Sequence, residues 1–223
     1  MRAVEGESGN PVEVIRAIGT DAPQLVHAVA DALEHWDYDL PIPTDDTRCL
    51  GFILEQSIAL HLQRTMPQCD VTLGGAIAYP NLRISEPGGP SLAFEVKASP
   101  RTQRIGNRVK SPDSILEFWD RFDGHWVMAV FYEFTAAKDR LHRFRCCLLP
   151  LWQYASAIFK DMSAISALGS LDAMLRNATV RSAFRDEAEF LDFARYMVDH
   201  PGTTAQRNAA AKEWLLRRRA AST

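Results

Sequence analysis

The residue types that could do chemistry in this chain gather in two short segments. Tyr79-Pro80-Asn81-Leu82-Arg83-Ile84 is followed, across the turn signal Glu86-Pro87-Gly88-Gly89-Pro90, by Phe94-Glu95-Val96-Lys97-Ala98-Ser99. A strand's period of two sends the side chains of Glu95 and Lys97 to one face and turns Val96 into the core. Carboxylate and amide oxygens are hard donors of the kind a divalent cation takes up, and an ammonium beside them offsets negative charge developing on a reacting group. Glu and Lys flank an apolar residue on a great many strands, so the pair carries meaning only through its setting.

That setting is a strand meander between helices. After a mixed, turn-rich start at 1–20, Leu25, Val29, Leu33 and Trp36 repeat at three or four residues and predict a helix over 22–36. Beyond the proline-broken link 40–46, the stripe Leu50, Ile53, Leu54, Ile58 and Leu62 predicts a second helix from Asp46 to about Arg64, with Thr44, Asp45 or Asp46 as its cap and Glu55 at the edge of its stripe. Past Pro67 the period becomes that of strands at 71–73, 77–79, 82–84 and 92–96, the first ending at Gly74-Gly75. Ser111 caps a further helix with Pro112 at its first position, and Ile115, Leu116, Trp119 and Phe122 supply its buried face. The apolar run Trp126–Phe134 reads as a central strand covered on both faces, with 141–149 as its neighbour. Everything after Pro150 reads as helical, at about 151–160, 163–177, 184–199 and 203–219. Without an internal repeat or a long linker, 1–223 reads as one domain, a core at about 46–150 and a helical extension at about 151–223.

Taken together, the helix bearing Glu55, the Tyr-Pro-Asn-Leu of 79–82, the Phe-Glu-Val-Lys of 94–97 and the basic loop, helix and central strand after them resemble the PD-(D/E)XK nucleases, over about residues 46–135. The resemblance implies an α/β, restriction-endonuclease-like core: a mixed central sheet of about five strands flanked by helices, here with a helical C-terminal extension. It also implies a type II restriction endonuclease that uses Mg2+ to hydrolyse double-stranded DNA as a homodimer. Carried onto this sequence, the catalytic set is Asn81, Glu95, Lys97 and Glu55, and the metal ligands are Asn81, Glu95 and the carbonyl of Val96. Lys97 would orient or deprotonate the nucleophile and offset charge in the transition state. The family pattern has aspartate where this chain has Asn81. A neutral amide weakens the hold on a metal, and the exchange is one that would trap an uncleaved complex, so the expectation is a natural aspartate in a chain that has been disarmed. Asp70 is the weaker stand-in. Glu55 has a second reading as a solvent-facing glutamate on an amphipathic helix.

The segment after the motif supplies Ser99, Arg101, Gln103, Arg104, Asn107, Arg108 and Lys110, groups suited to phosphate and base-edge contacts on DNA. A solvated basic loop is the plainer alternative. Arg217–Arg219 is read as a helix C-terminus complementing its dipole rather than as a phosphate contact. Six histidines lie scattered without metal-ligand spacing, and none is assigned catalysis. Serine-hydrolase, nucleotide-binding and zinc-protease motifs are absent, so no nucleotide cofactor is expected.

Composition narrows the class without deciding it. At 223 residues, 47% hydrophobic and a net charge of −3, the chain can build a full core, and its overall charge does not mark a nucleic-acid binder. Cys49, Cys69, Cys146 and Cys147 form no C-x-x-C pair, which argues against zinc and disulfide frameworks. No window is apolar enough for a membrane span, and a soluble cytoplasmic protein is expected. Two rivals remain: another nuclease of the same superfamily acting in repair, mismatch correction or nicking, and a DNA-binding relative that has lost catalysis, which Asn81 would suit.

Overall fold

A computed structural model describes residues 13–16, 24–36, 50–74, 79–100, 111–134, 141–156, 166–167 and 184–220. Among these residues six strands make the main sheet, in the order β1 (Glu13–Arg16), β6 (Leu141–Pro150), β5 (Gly124–Phe134), β4 (Ser91–Pro100), β3 (Leu82–Ser85) and β2 (Asp70–Leu73). It is mixed. β2, β3 and β4 form an antiparallel meander, β5 runs parallel to β4, and β6 returns antiparallel to β5. The strand beyond the five expected is β1, which pairs parallel with β6 from a segment that reads as turn-rich.

Two separate cores follow from strand alternation, because successive residues of β4 and β5 point to opposite faces. On one face Leu92, Phe94, Val96, Trp126, Met128 and Val130 pack under α1 (Gln24–Glu34) and α2 (Leu50–Thr65). Leu50, Leu54, Ile58 and Leu62 give α2 its buried stripe, at the spacing the sequence predicts. On the other face Val127, Ala129, Phe131, Cys147 and Leu149 pack with Ile115 of α3 (Pro112–Trp119), with α4 (Leu151–Tyr154), and with the C-terminal helices α5 (Glu187–Asp199) and α6 (Thr204–Ala220). The result is a helix–sheet–helix sandwich. β5 is buried from His125 through Tyr132, as its apolar run requires.

Local signals account for most element ends. Ser111 accepts from the Ser114 N–H at 3.3 Å with Pro112 opening α3, and Asp186 accepts from the Glu189 N–H at 2.8 Å to start α5. The helix expected at 151–160 stops at Tyr154. Ala155–Ser156 (β7) pairs antiparallel with Ser166–Ala167 (β8), so at least that part of the expected helix 163–177 is extended. Pairing there wins over helix propensity, while 157–165 and 168–183 lie outside the described residues. Arg217 pairs with Glu213 along α6, and Arg218 pairs with Asp192 of α5 at 3.0 Å and lies over the Trp214 ring, so Arg218 serves the α5–α6 packing. Cys146 and Cys147 are reduced and buried on opposite sides of β6, and Cys69 is also reduced; Cys49 lies outside the described residues.

Phe94 is fully buried at the centre of the first core, whereas Phe52 on α2 is 54% exposed. Phe94→Ala is expected to lower unfolding free energy by about 3–5 kcal/mol. Phe52→Ala should change it by no more than about 0.5 kcal/mol. Guanidinium denaturation of the two variants checks the assignment of inside and outside.

Candidate active site

The site begins with register. Leu82 is paired with Phe94 across β3 and β4, so one step further along the strands Asn81 comes opposite Glu95. Opposed residues of an antiparallel pair project from the same face, and Lys97, two residues on, shares it. The side chains bear this out. Lys97 Nζ donates to Glu95 Oε1 at 2.5 Å, and Asn81 Oδ1 accepts from the Val96 N–H at 3.0 Å. Glu95 is 1% exposed and Lys97 15%, so the ammonium is the more accessible member of the pair. Asn81 is buried as well.

Gly74 makes this approach possible. Its N–H donates to the Asn81 carbonyl at 2.7 Å, and a Cβ in its place would fall 2.1 Å from the Pro80 carbonyl oxygen. No side chain fits there. Gly74, at the end of the first strand of the meander, thus lets the chain fold closely over the segment that presents Asn81.

Aromatic groups support the same corner. Tyr79 donates its hydroxyl to His125 Nδ1 at 2.6 Å, and His125 Nε2 lies 3.0 Å from the Trp119 carbonyl, which only accepts. Nε2 therefore carries the proton and Nδ1 receives the phenol. The imidazole stacks on Trp119 with ring centres 4.0 Å apart. Burial holds His125 below the usual histidine range, although its bond to Trp119 and the nearby Asp120 pull the other way. Burial also pushes Tyr79 well above the usual phenol range, and the Glu95 carboxylate adds to the shift. Tyr154 is raised likewise, first by burial and then by Glu95 and Cys147. Its hydroxyl is buried without a hydrogen-bond partner among the described residues. Both phenols stay neutral beside a buried carboxylate.

Not every expected site residue joins this group. Asp70 pairs with Ser85 at the far end of the β2–β3 ladder and is exposed, four residues before Gly74. At a strand rise of about 3.3 Å per residue it stands some 13 Å from the Asn81 end, so it does not replace an aspartate there. Glu55 is half-buried on α2, whose apolar stripe covers the Phe94 and Val96 face, opposite to that of Glu95. The geometry groups Asn81, Glu95 and Lys97. Ser99 is paired through its backbone with Phe131, and Arg101, Gln103, Arg104, Asn107, Arg108 and Lys110 lie outside the described residues, as does 77–78 of the expected strand 77–79. Tyr79, His125 and Tyr154 escaped sequence reasoning. Tyr79 alone had a signal, being two residues from Asn81.

Similarity to known proteins lies at the level of structure. No family model matches the chain, and no curated protein matches it in sequence. Against the solved structure of the NlaIV restriction endonuclease it gives a TM-score of 0.57, covering 92% of this chain and 89% of that one at 13% identity. The chain has the fold of a restriction endonuclease. Within that restriction-endonuclease fold the two polar strand ends come together where β3 begins and β4 passes. Among the described residues no three His, Cys, Asp or Glu side chains cluster as a metal site, and no helix is long and apolar enough to cross a membrane.

The buried His125 makes stability depend on pH with a definite sign. Its folded value is depressed, so the unfolded chain binds the proton more tightly, and this contribution is complete above about pH 6.5 and is lost as pH falls through the lower folded value. His125→Gln should lower stability near pH 7.5 by about 1 kcal/mol or more, with the gap to wild type narrowing toward pH 5. Urea midpoints across that range would show it, and a constant gap would contradict it.

Proposed function

We propose that this chain is a magnesium-dependent deoxyribonuclease of the PD-(D/E)XK superfamily, a type II restriction endonuclease that hydrolyses phosphodiester bonds in duplex DNA as a homodimer. The observation that carries this reading is the contact of Glu95 with Lys97 on the strand face that Asn81 also occupies. The likeness of the fold to a restriction endonuclease supports it.

Glu95, the Asn81 amide and the Val96 carbonyl offer hard oxygens, which suit magnesium in kind while supplying one formal charge. Magnesium held there supplies Lewis-acid activation of water and charge neutralisation at the phosphoryl oxygens. Lys97 would place an ammonium against the scissile phosphate, offsetting the charge of the pentacoordinate transition state and orienting the attacking water. Tyr79 and the His125 behind it would hold the Pro80–Asn81 segment in place. Ser99 and the basic residues Arg101, Arg104, Arg108 and Lys110, with Gln103 and Asn107, follow Lys97 directly in sequence and would track the DNA backbone and base edges.

One observation favours a second reading, a DNA-binding relative without catalysis. The amide oxygen at position 81 is engaged by the Val96 N–H, and it is uncharged. An aspartate is nearly isosteric, could accept the same bond and would add a second charge to the donor set. With magnesium and a plasmid of known sequence, Asn81→Asp should therefore raise cleavage at least about tenfold and yield discrete fragments. In that background Glu95→Gln or Lys97→Ala should each cut the rate by a factor of about 10² or more. An Asn81→Asp protein that binds duplex DNA yet cuts it with neither magnesium nor manganese would establish the non-enzymatic reading.

A further inference from the structure

The ammonium of Lys97 sits on one of the two carboxylate oxygens that Glu95 could offer a divalent cation. Its Nζ is 2.5 Å from Glu95 Oε1, the carboxylate is 1% exposed, and Lys97 is the more exposed of the two at 15%. An ammonium and a divalent cation crowded onto one carboxylate repel each other, since like charges a few ångströms apart in a protein interior interact far more strongly than in water. We propose that Lys97 is the resident counter-ion of Glu95, and that it competes with the divalent cation until a DNA phosphate draws the ammonium away.

This rests on Glu95 being the metal ligand, and it adds the order in which the site fills. In the chain alone the buried carboxylate is neutralised internally, which avoids leaving a lone charge out of water. A phosphate at the mouth of the site offers Lys97 a second anion. Once the ammonium turns outward to it, Glu95 is left to the cation, and the ammonium stands beside the group to be cut. Cation and DNA therefore assist each other's binding, and by linkage each raises the other's affinity by the same factor.

The experiment is a Mn2+ titration of the full-length protein, followed by the loss of the free-ion electron paramagnetic resonance signal, with and without a short DNA duplex at low ionic strength. Lys97→Met in the absence of DNA should bind Mn2+ at least about tenfold more tightly than wild type, and Glu95→Gln should abolish that site. Lys97→Gln retains an amide donor for the buried carboxylate and serves the same purpose if the methionine variant does not fold. In wild type, added duplex should tighten Mn2+ binding, beyond the binding of the duplex alone. Equal or weaker Mn2+ binding by both Lys97 variants, with Glu95→Gln still abolishing the site, overturns the competition and leaves Glu95 as a ligand. Mn2+ binding that survives Glu95→Gln, or is absent from every variant and from the duplex complex, overturns the ligand assignment itself.

Discussion

A carboxylate taken almost wholly out of water has to be matched by a positive group, and here the match comes from two residues along the same strand. Glu95 and Lys97 meet at 2.5 Å because the pleat puts alternate side chains on one face. Breaking a buried ion pair by removing one partner costs about 3–5 kcal/mol in typical proteins. A purely structural sheet would have little reason to keep such a pair where a leucine and an alanine would pack. On the proposal made above, the pair is a site that exchanges its internal cation for an external one.

The rest of the molecule serves to hold that pair at the border between two cores. Val96 lies between the two polar groups and enters the core under α1 and α2, anchoring β4 from the opposite face. Val127 and Ala129 of the parallel neighbour β5 stand beside Glu95 and Lys97 and fix their flank. On the third side Asn81 caps the Val96 N–H, and Gly74 gives the passing chain the room it needs. The Tyr79–His125–Trp119 chain of hydrogen bonds then ties the approach to Asn81 to the end of α3.

Much of this was legible from sequence wherever a single local rule decided the outcome. The Ser111-Pro112 start of α3, the stripe of α2 and the largely apolar β5 each appear at their expected places. The fold class was legible too, since helix, meander, helix and buried strand occur in an order that leaves few topologies. Three things were not. β1 is a short strand added parallel to β6 from more than a hundred residues away, and no local pattern records such a partner. The stretch after Tyr154 turns into the β7–β8 pair, where a tertiary contact overrides helical composition. In the site, spacing placed Glu95 and Lys97 together, but it could not show how α2 lies over the sheet. Nor could it reveal the buried phenols of Tyr79 and Tyr154, because their nearness to Glu95 depends on strand order rather than on sequence distance.

The most direct test of the central claim is a crystal structure of the Asn81→Asp protein with Mn2+ and duplex DNA, with data collected to locate manganese by anomalous scattering. A manganese peak bonded to Glu95 and to the residue at 81, with Lys97 turned from the carboxylate toward a phosphate, is the expected result. An intact Lys97–Glu95 bond with DNA and manganese bound elsewhere would contradict it.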